Sequence, residues 1–335
     1  MPIQTTQHFQ QHFTTQLHRM LLSEELGVFI LVLANATASH DIYKQMSAPL
    51  KKRFIDFENS LIQNLSKVAA DDARVFQQLI ETRIDNLQPS QFKTVGDWQL
   101  QYNHLRSFRP ARNSGKTITA LLQNFDVEGF HFNKPFLKDE TLWAGQLKST
   151  QLKILYNKFP FADYHGIFVF EPGQCRPQYL LNEHCLEVDS LLQTVNNSPE
   201  FGLAYNSLGA YASINHQHWQ SFLSQQDYPV ESANWKHNGG GNTYPIHVDT
   251  FNSILQAWPL INEWQQHNTA FNLLLRKDKV YAIARKRQGQ YQHSNWTSGF
   301  AWSEVMGNII VSDSTHYNQL KADQILQEFT LLTLD

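Results

Sequence analysis

Between Tyr205 and Phe222 the sequence reads YNSLGAYASINHQHWQSF, which sets two imidazoles and an amide at alternating positions: His216, His218 and Gln220. On an extended strand these three share one face with Ile214, while Asn215, Gln217 and Trp219 share the other. Such a face is poor core chemistry, because each buried polar group needs a hydrogen-bond partner. It suits a phosphate. One imidazole attacks phosphorus as a nucleophile while its neighbours orient it and donate to the phosphoryl oxygens. Gly209, just upstream, lets the backbone approach a ligand closely. Two other readings compete. One is a surface strand with incidental histidines, in a chain that holds 15 of them. The other is a zinc chelate, for which the spacing supplies no third ligand.

Further polar candidates lie outside that stretch. His165, in FADYHGIFVF, opens an apolar run after a proline turn and by itself reads as a structural histidine at a strand edge. Asn157, in YNKFP, is either a turn residue or a contact to ribose or phosphate. RSFRPARNSGKT ends in Gly115-Lys116-Thr117 but carries Pro110 where a phosphate-binding loop needs its first glycine, so it is not a Walker motif. Its Arg106, Arg109, Arg112 and Lys116 still supply charge enough to hold phosphate groups, with a solvated basic loop as the other reading. Arg285-Lys286-Arg287 reads as solvated surface. Cys175, His184 and Cys185 have no standard zinc spacing and read as structural, so no metal site and no cofactor are expected. Glu304 is either a ligand contact or a surface charge.

These residues need elements to position them. Residues 1 to about 90 read as mostly helical: Phe54, Phe57, Leu61, Leu65 and Val68 recur at helical spacing, with Pro49 suited to a helix start and Pro89 closing the stretch. The apolar run Val28 to Ala34 is a buried strand or a core helix segment. ITALLQNF, GIFVF and GLAYNSL read as strands, with LNEHCLEVDSLLQTVNN a helix between them. The cluster Gly239, Gly240, Gly241 and Asn242 marks a mobile loop. Beyond it come a helix in VDTFNSILQAWPLINEWQQH and a hairpin in FNLLLRKDKVYAIARKR turning at Lys277-Asp278. A strand in WSEVMGNIIVSD and a closing helix in KADQILQEFTLLTL complete the chain.

Composition narrows the class. The 335 residues are 41% hydrophobic and 13% aromatic, enough for a sizeable core. With 15 glycines and 12 prolines, the chain is neither collagen-like nor disordered. A formal charge of −3, with 17% of residues charged, excludes a strongly basic nucleic-acid binder. The N-terminus lacks the basic and apolar regions of a signal peptide, and no apolar run approaches the roughly 20 residues that span a bilayer. With only two cysteines, a reduced, cytoplasmic protein without a membrane partner is expected.

The stretch SLGAYASINHQHWQ resembles the H-x-H-x-Q motif of the nucleotidyltransferase branch of the histidine-triad (HIT) superfamily. That branch holds the galactose-1-phosphate uridylyltransferases and the diadenosine tetraphosphate phosphorylases. Within it, the stretch is most like the GDP-hexose phosphorylases of the GDP-L-galactose and GDP-D-glucose type. ILYNKFPFADYHGIFVFEP resembles the strand, proline turn, histidine and strand that precede the motif. CRPQYL resembles a Cys-x-Pro-Gln element of that family, and NFDVEGFHFNK its segment before the nucleotide-binding half. FNLLLRKDKVYAIARK and WSEVMGNIIV are similar to its C-terminal hairpin and strand. The resemblance covers roughly residues 105 to 320, and the N-terminal 90 match nothing placed in the family. Gln217 stands where the superfamily usually places an apolar residue.

The resemblance implies an α+β protein with a HIT-like antiparallel core of two related halves. On this reading the chain divides into a helical N-terminal region (1–90), a catalytic half (91–230) and a C-terminal half (231–335). It implies His218 as nucleophile, His216 and Gln220 beside the α-phosphate, and Asn157, His165, Gly209, Arg112 and Lys116 around the substrate. The implied reaction is phosphorolysis of a GDP-hexose to GDP and hexose 1-phosphate through a covalent guanylyl-histidine. The partners are then a nucleotide sugar and inorganic phosphate, with a homodimer in keeping with the family. The alternatives are a dinucleoside polyphosphate phosphorylase, a nucleotide hydrolase, and a catalytically inactive nucleotide-binding protein on the same fold.

Overall fold

A computed structural model describes residues 5–61, 68–109, 117–195 and 198–334. Leu65, Arg112 and Lys116 lie outside the described residues. Four helices open the chain: α1 (Thr6–Met20), α2 (Leu26–Ala38), α3 (His40–Leu61) and α4 (Ala70–Thr82). Strands β1 (Gln91–Val95) and β2 (Trp98–Tyr102) follow, then the short α5 (His104–Ser107), β3 (Thr141–Leu147), β4 (Thr150–Tyr156) and β5 (Asp163–Phe170). Helix α6 (Asn182–Thr194) leads to β6 (Phe201–Asn206), β7 (Trp219–Leu223) and β8 (Asp249–Phe251). Then come α7 (Ile254–Gln266), β9 (Ala270–Arg276), β10 (Lys279–Arg285), α8 (Trp302–Val305), β11 (Asn308–Val311), α9 (Ser314–Gln319) and α10 (Ala322–Leu332).

The architecture is α+β, as expected. Eight antiparallel strands form one sheet in the order β3-β4-β5-β7-β6-β9-β10-β8. A smaller sheet, β1-β2-β11, pairs β2 and β11 in parallel. The period of two divides the large sheet's side chains between two cores. Leu152, Ile154, Phe168, Leu203, Tyr205, Trp219 and Leu273 pack with the N-terminal helices, α6 and α7. Ala204, Phe222, Leu274 and Ile283 pack on the other side with β2, β11 and α10. Gln220 lies one residue from Trp219 and two from Phe222, so it faces the second side.

The ambiguous run Val28 to Ala34 is helix. Every residue of α2 except Gly27 is buried, because α1, α3, α4 and β5 surround it. Helix α3 begins at His40, so Pro49 lies inside it rather than at its start. A proline there removes a backbone bond at a cost of roughly 3 kcal/mol. The buried stripe Ile42, Met46, Leu50 and Phe54, packed in the helical core, offsets that loss.

Three more expectations are corrected. ITALLQNF forms no strand: Thr117–Phe125 is irregular, with Ile118 and Leu121 packed on Leu208, Ala210 and Ala270. The stretch Tyr205–Phe222 is not one strand either, because Gly209 (φ +82°) and Tyr211 (φ +68°) turn the chain away after β6. The glycine loop is tied by its own backbone, with Lys236 N–H bonded to Asn242 O, Gly240 N–H to Trp235 O and Asn242 N–H to Asn234 O. The hairpin at Lys277-Asp278 is as read, and both residues take positive φ (51° and 57°), as a two-residue turn between twisted strands requires.

If α2 is the keystone of the helical layer, Leu31→Ala should lower unfolding free energy by about 2–5 kcal/mol in urea titration. Leu22→Ala, at a position 81% exposed, should change it by less than about 0.5 kcal/mol.

Candidate active site

A pocket of about 230 Å³ opens on the second face of the sheet, over β4, β5 and β7. His218 and Gln220 line it, with Asn157, Asn206, Tyr211 and Ser213. The backbone that carries the histidines is held by the CRPQYL segment. Beyond β7 the β6–β7 register would place His218 opposite Asn206. The strands diverge there, and the Gln178 side-chain amide fills the gap. His218 N–H donates to Gln178 Oε1 (2.8 Å), and Gln178 Nε2 donates to Asn206 O (2.8 Å) and His218 O (3.2 Å). Gln217 N–H donates to Arg176 O (2.8 Å), and Asn215 Oδ1 accepts from Gln178 N–H (2.9 Å).

That frame sets the tautomer of His218. Its Nδ1 lies 2.8 Å from His216 O, and a carbonyl only accepts, so Nδ1 carries the proton. Nε2 then bears the lone pair. Burial pulls the His218 pKa down to about 4, against the opposing hydrogen bond to His216 O, so the ring is neutral near pH 7. A neutral imidazole with its free nitrogen in a pocket is a nucleophile.

Gln220 is oriented from behind. Its Oε1 accepts from Trp302 Nε1 (2.9 Å) and lies 3.0 Å from His165 Nε2. His165 Nδ1 lies 3.4 Å from Phe161 N, and its Nε2 also lies 3.3 Å from Asn157 Nδ2. Burial and the Arg106 charge push the His165 pKa down to about 3. His165 is therefore a neutral, fully buried support for the amide; the expected substrate contact is corrected, since it does not line the pocket. Asn157 is a turn residue that also faces the pocket. It lines the pocket, and its Oδ1 accepts from Phe159 N–H (3.1 Å) across the proline turn.

His216 sits one layer back from the pocket. Its ring lies among Phe125, His131 and Phe132, and its Nδ1 accepts from Phe132 N–H (3.1 Å). Burial, with the charges of His218, His131 and Lys153, lowers its pKa to about 3. What reaches His218 is the His216 carbonyl rather than the ring. Gly209 does not line the pocket either. Its carbonyl accepts from Gln288 N–H (2.7 Å), and a Cβ there would meet Arg287 at 3.2 Å, so the glycine serves its positive φ.

Charge reaches the site from α5. Arg106 lines the pocket, donates to Phe159 O and stacks over the Phe161 ring at 4.7 Å. Arg109 lines the pocket as well. Burial lowers the Arg106 pKa to about 10, and Glu304 nearby opposes the shift. Glu304 is neither ligand contact nor surface charge: it is buried and accepts from Ala301 N–H (2.9 Å). Burial raises its pKa to about 7. Arg285, expected on the surface, is fully buried and donates to Phe300 O and the Tyr291 hydroxyl. Gln217, at the position where an apolar residue is usual, is also buried and bonds His184.

Aromatic residues complete the pocket, and sequence reasoning did not assign them. Phe130, Phe132 and Phe136 line it; Phe130 and Phe136 remain 45% and 63% exposed, 6.2 Å apart. The alternation in GFHFNKPF was the available signal. Asn206 and Trp302 were not singled out either, and Gln178 was marked only as the last residue of the Cys-x-Pro-Gln element. Among the described residues no group of three metal-ligating side chains occurs, and no helix is long and apolar enough to cross a membrane.

The tautomer has a direct check. Nitrogen NMR of the imidazoles should show His218 as the Nδ1–H form and neutral down to about pH 4. A titration midpoint near the ordinary 6.5 would contradict the buried, carbonyl-bound ring.

The chain has relatives among known proteins. Residues 86–222 match the family described as GDPGP1-like, N-terminal domain. The chain is 29% identical to GDP-D-glucose phosphorylase 1 of Danio rerio over 157 residues, which is 46% of this chain and 44% of the relative. It is 30% identical to GDP-D-glucose phosphorylase 1 of Homo sapiens over 131 residues (36% of this chain, 33% of the relative). It is 29% identical to GDP-L-galactose phosphorylase 1 of Arabidopsis thaliana over 132 residues (35% and 29%). These alignments span less than half of each relative's length. The fold is that of the yeast Ap4A phosphorylase Apa2, with a TM-score of 0.53 and 12% identity over 81% of this chain and 95% of that one. The matched segment holds β5, the Gln178 clamp, His216, His218 and Gln220, and across it the chain resembles the GDP-hexose phosphorylases on a HIT-type fold, as its sequence implied.

Proposed function

We propose that this protein is a nucleotidyltransferase that cleaves a GDP-hexose by phosphorolysis through a guanylyl-histidine at His218. The observation that carries the reading is the His218 ring, with Nδ1–H bound to the His216 carbonyl and Nε2 free at the pocket beside the Gln220 amide. Nε2 attacks the α-phosphorus, a P–N bond forms, and the bond to the β-phosphate oxygen breaks to release hexose 1-phosphate. An oxygen of inorganic phosphate then attacks the same phosphorus, the P–N bond breaks, and GDP leaves with His218 neutral again. Gln220 donates to the phosphoryl oxygens, and Arg106 and Arg109 supply positive charge to the phosphates. The exposed Phe130 and Phe136 at the pocket suit a planar base, which stacks on aromatic faces. The names of the relatives, GDP-D-glucose and GDP-L-galactose phosphorylases, support guanine and a hexose.

The test is to withhold phosphate. GDP-glucose alone should add one GMP mass to the protein and release glucose 1-phosphate in a burst. Phosphate should then discharge the adduct as GDP. The adduct should be acid-labile and base-stable, because protonation makes the imidazole a good leaving group. His218→Asn should form none, while Cys175→Ser and Cys185→Ser should form it normally. Discharge by water as GMP would make the protein a hydrolase, and active protein without an adduct would make His218 a phosphate contact only.

Two substitutions separate chemistry from binding. Gln220→Ala should lower kcat by roughly 10²–10³-fold with little change in KM. Phe136→Ala should raise KM by up to about tenfold at unchanged kcat, as loss of a stacking partner would.

A further inference from the structure

The Gln220 amide has two neighbours, Trp302 Nε1 at 2.9 Å and His165 Nε2 at 3.0 Å from its Oε1. The indole N–H can only donate, so it fixes which end of the amide it meets. Only Oε1 can accept from it. The amide Nε2 of Gln220 has no partner among the described residues, and Gln220 lines the pocket, so its two N–H bonds are left for a ligand. Flipping the amide would set its N–H groups against the indole N–H.

Trp302 comes from the first turn of α8, 82 residues beyond Gln220, and its own placement is over-determined. Its backbone N–H donates to Asn206 Oδ1 (2.9 Å), which also accepts from Asn272 Nδ2 (2.6 Å). The same Asn206 gives its carbonyl to the Gln178 clamp. The indole stacks on Phe222 at 5.0 Å and 14°, and packs against Phe161 and Tyr228 at 5.4 and 5.5 Å. It is fully buried and does not line the pocket.

We propose that Trp302 is a positioning residue that locks the Gln220 amide with its N–H groups turned toward the transferring phosphoryl group. This rests on the phosphoryl-transfer reading above. The C-terminal part of the chain thereby completes a catalytic face whose other members come from the matched segment 86–222.

Trp302→Phe keeps the ring stack and removes the N–H. For GDP-hexose phosphorolysis it should lower kcat by about tenfold and leave KM within about twofold, since one of two orienting hydrogen bonds is lost. In a Gln220→Ala background the same substitution should leave kcat within about twofold. A tryptophan with only a structural role would instead cost the same in both backgrounds. Equal losses in both, or no loss in either, overturn the proposal.

A second measurement needs neither turnover nor a tryptophan variant. Of the eight indole N–H signals, one should exchange faster with solvent in Gln220→Ala than in the parent protein. Eight unchanged signals overturn the proposal. If the protein turns over no GDP-hexose, the phosphorolysis reading fails, while the exchange result still decides whether Trp302 holds the amide.

Discussion

Where β6 and β7 part company, two peptide groups are left facing each other across a gap too wide for a ladder bond. The Gln178 side chain closes it, accepting from one strand end and donating to both. A buried amide offers both a donor and an acceptor, so it can replace a missing strand segment without leaving an orphaned backbone group. The geometry of the pocket depends on this substitution. Because the His218 peptide is pinned, its ring can turn back to the His216 carbonyl, and that contact decides which nitrogen is free.

The polar groups behind the pocket form one connected network. Asn206 receives the Trp302 and Asn272 donors through its side chain and the Gln178 donor through its carbonyl. Trp302 and His165 converge on Gln220. Inside a protein such bonds strengthen one another, and a missing member is costly. The His218 ring and the Gln220 amide are therefore oriented by the protein's own bonds, the arrangement that electrostatic preorganisation requires. Low dielectric also explains why His165, His216 and His218 all stay neutral near pH 7.

Sequence spacing made some of this legible and concealed the rest. The alternation His216, His218, Gln220 marked a polar face, and the pocket does contain His218 and Gln220. It wrongly implied that the His216 ring belongs to the same surface. Alternation describes side chains on a continuous strand, and β7 begins only at Trp219, so the period does not extend back to His216. For His165 the structural reading held and the implied substrate contact did not, because sequence shows adjacency but not depth. Arg285 looked exposed because a basic run is usually solvated, yet the Phe300 carbonyl and the Tyr291 hydroxyl satisfy it inside.

By itself the sequence determined the local periods. It specified an N-terminal helical layer, the β9–β10 turn, the helices α6, α7 and α10, and the polar run that holds His218 and Gln220. Those features rest on interactions between residues a few positions apart, which spacing records directly. The tertiary structure alone decided which imidazole nitrogen is free, which way the amide faces and how deep each histidine lies. Each of those outcomes rests on a partner far along the chain: Gln178 is 40 residues from His218, and Trp302 is 82 from Gln220. A hydrogen bond orients a group only when both atoms are in place, and the chain brings these together by closing the sheet.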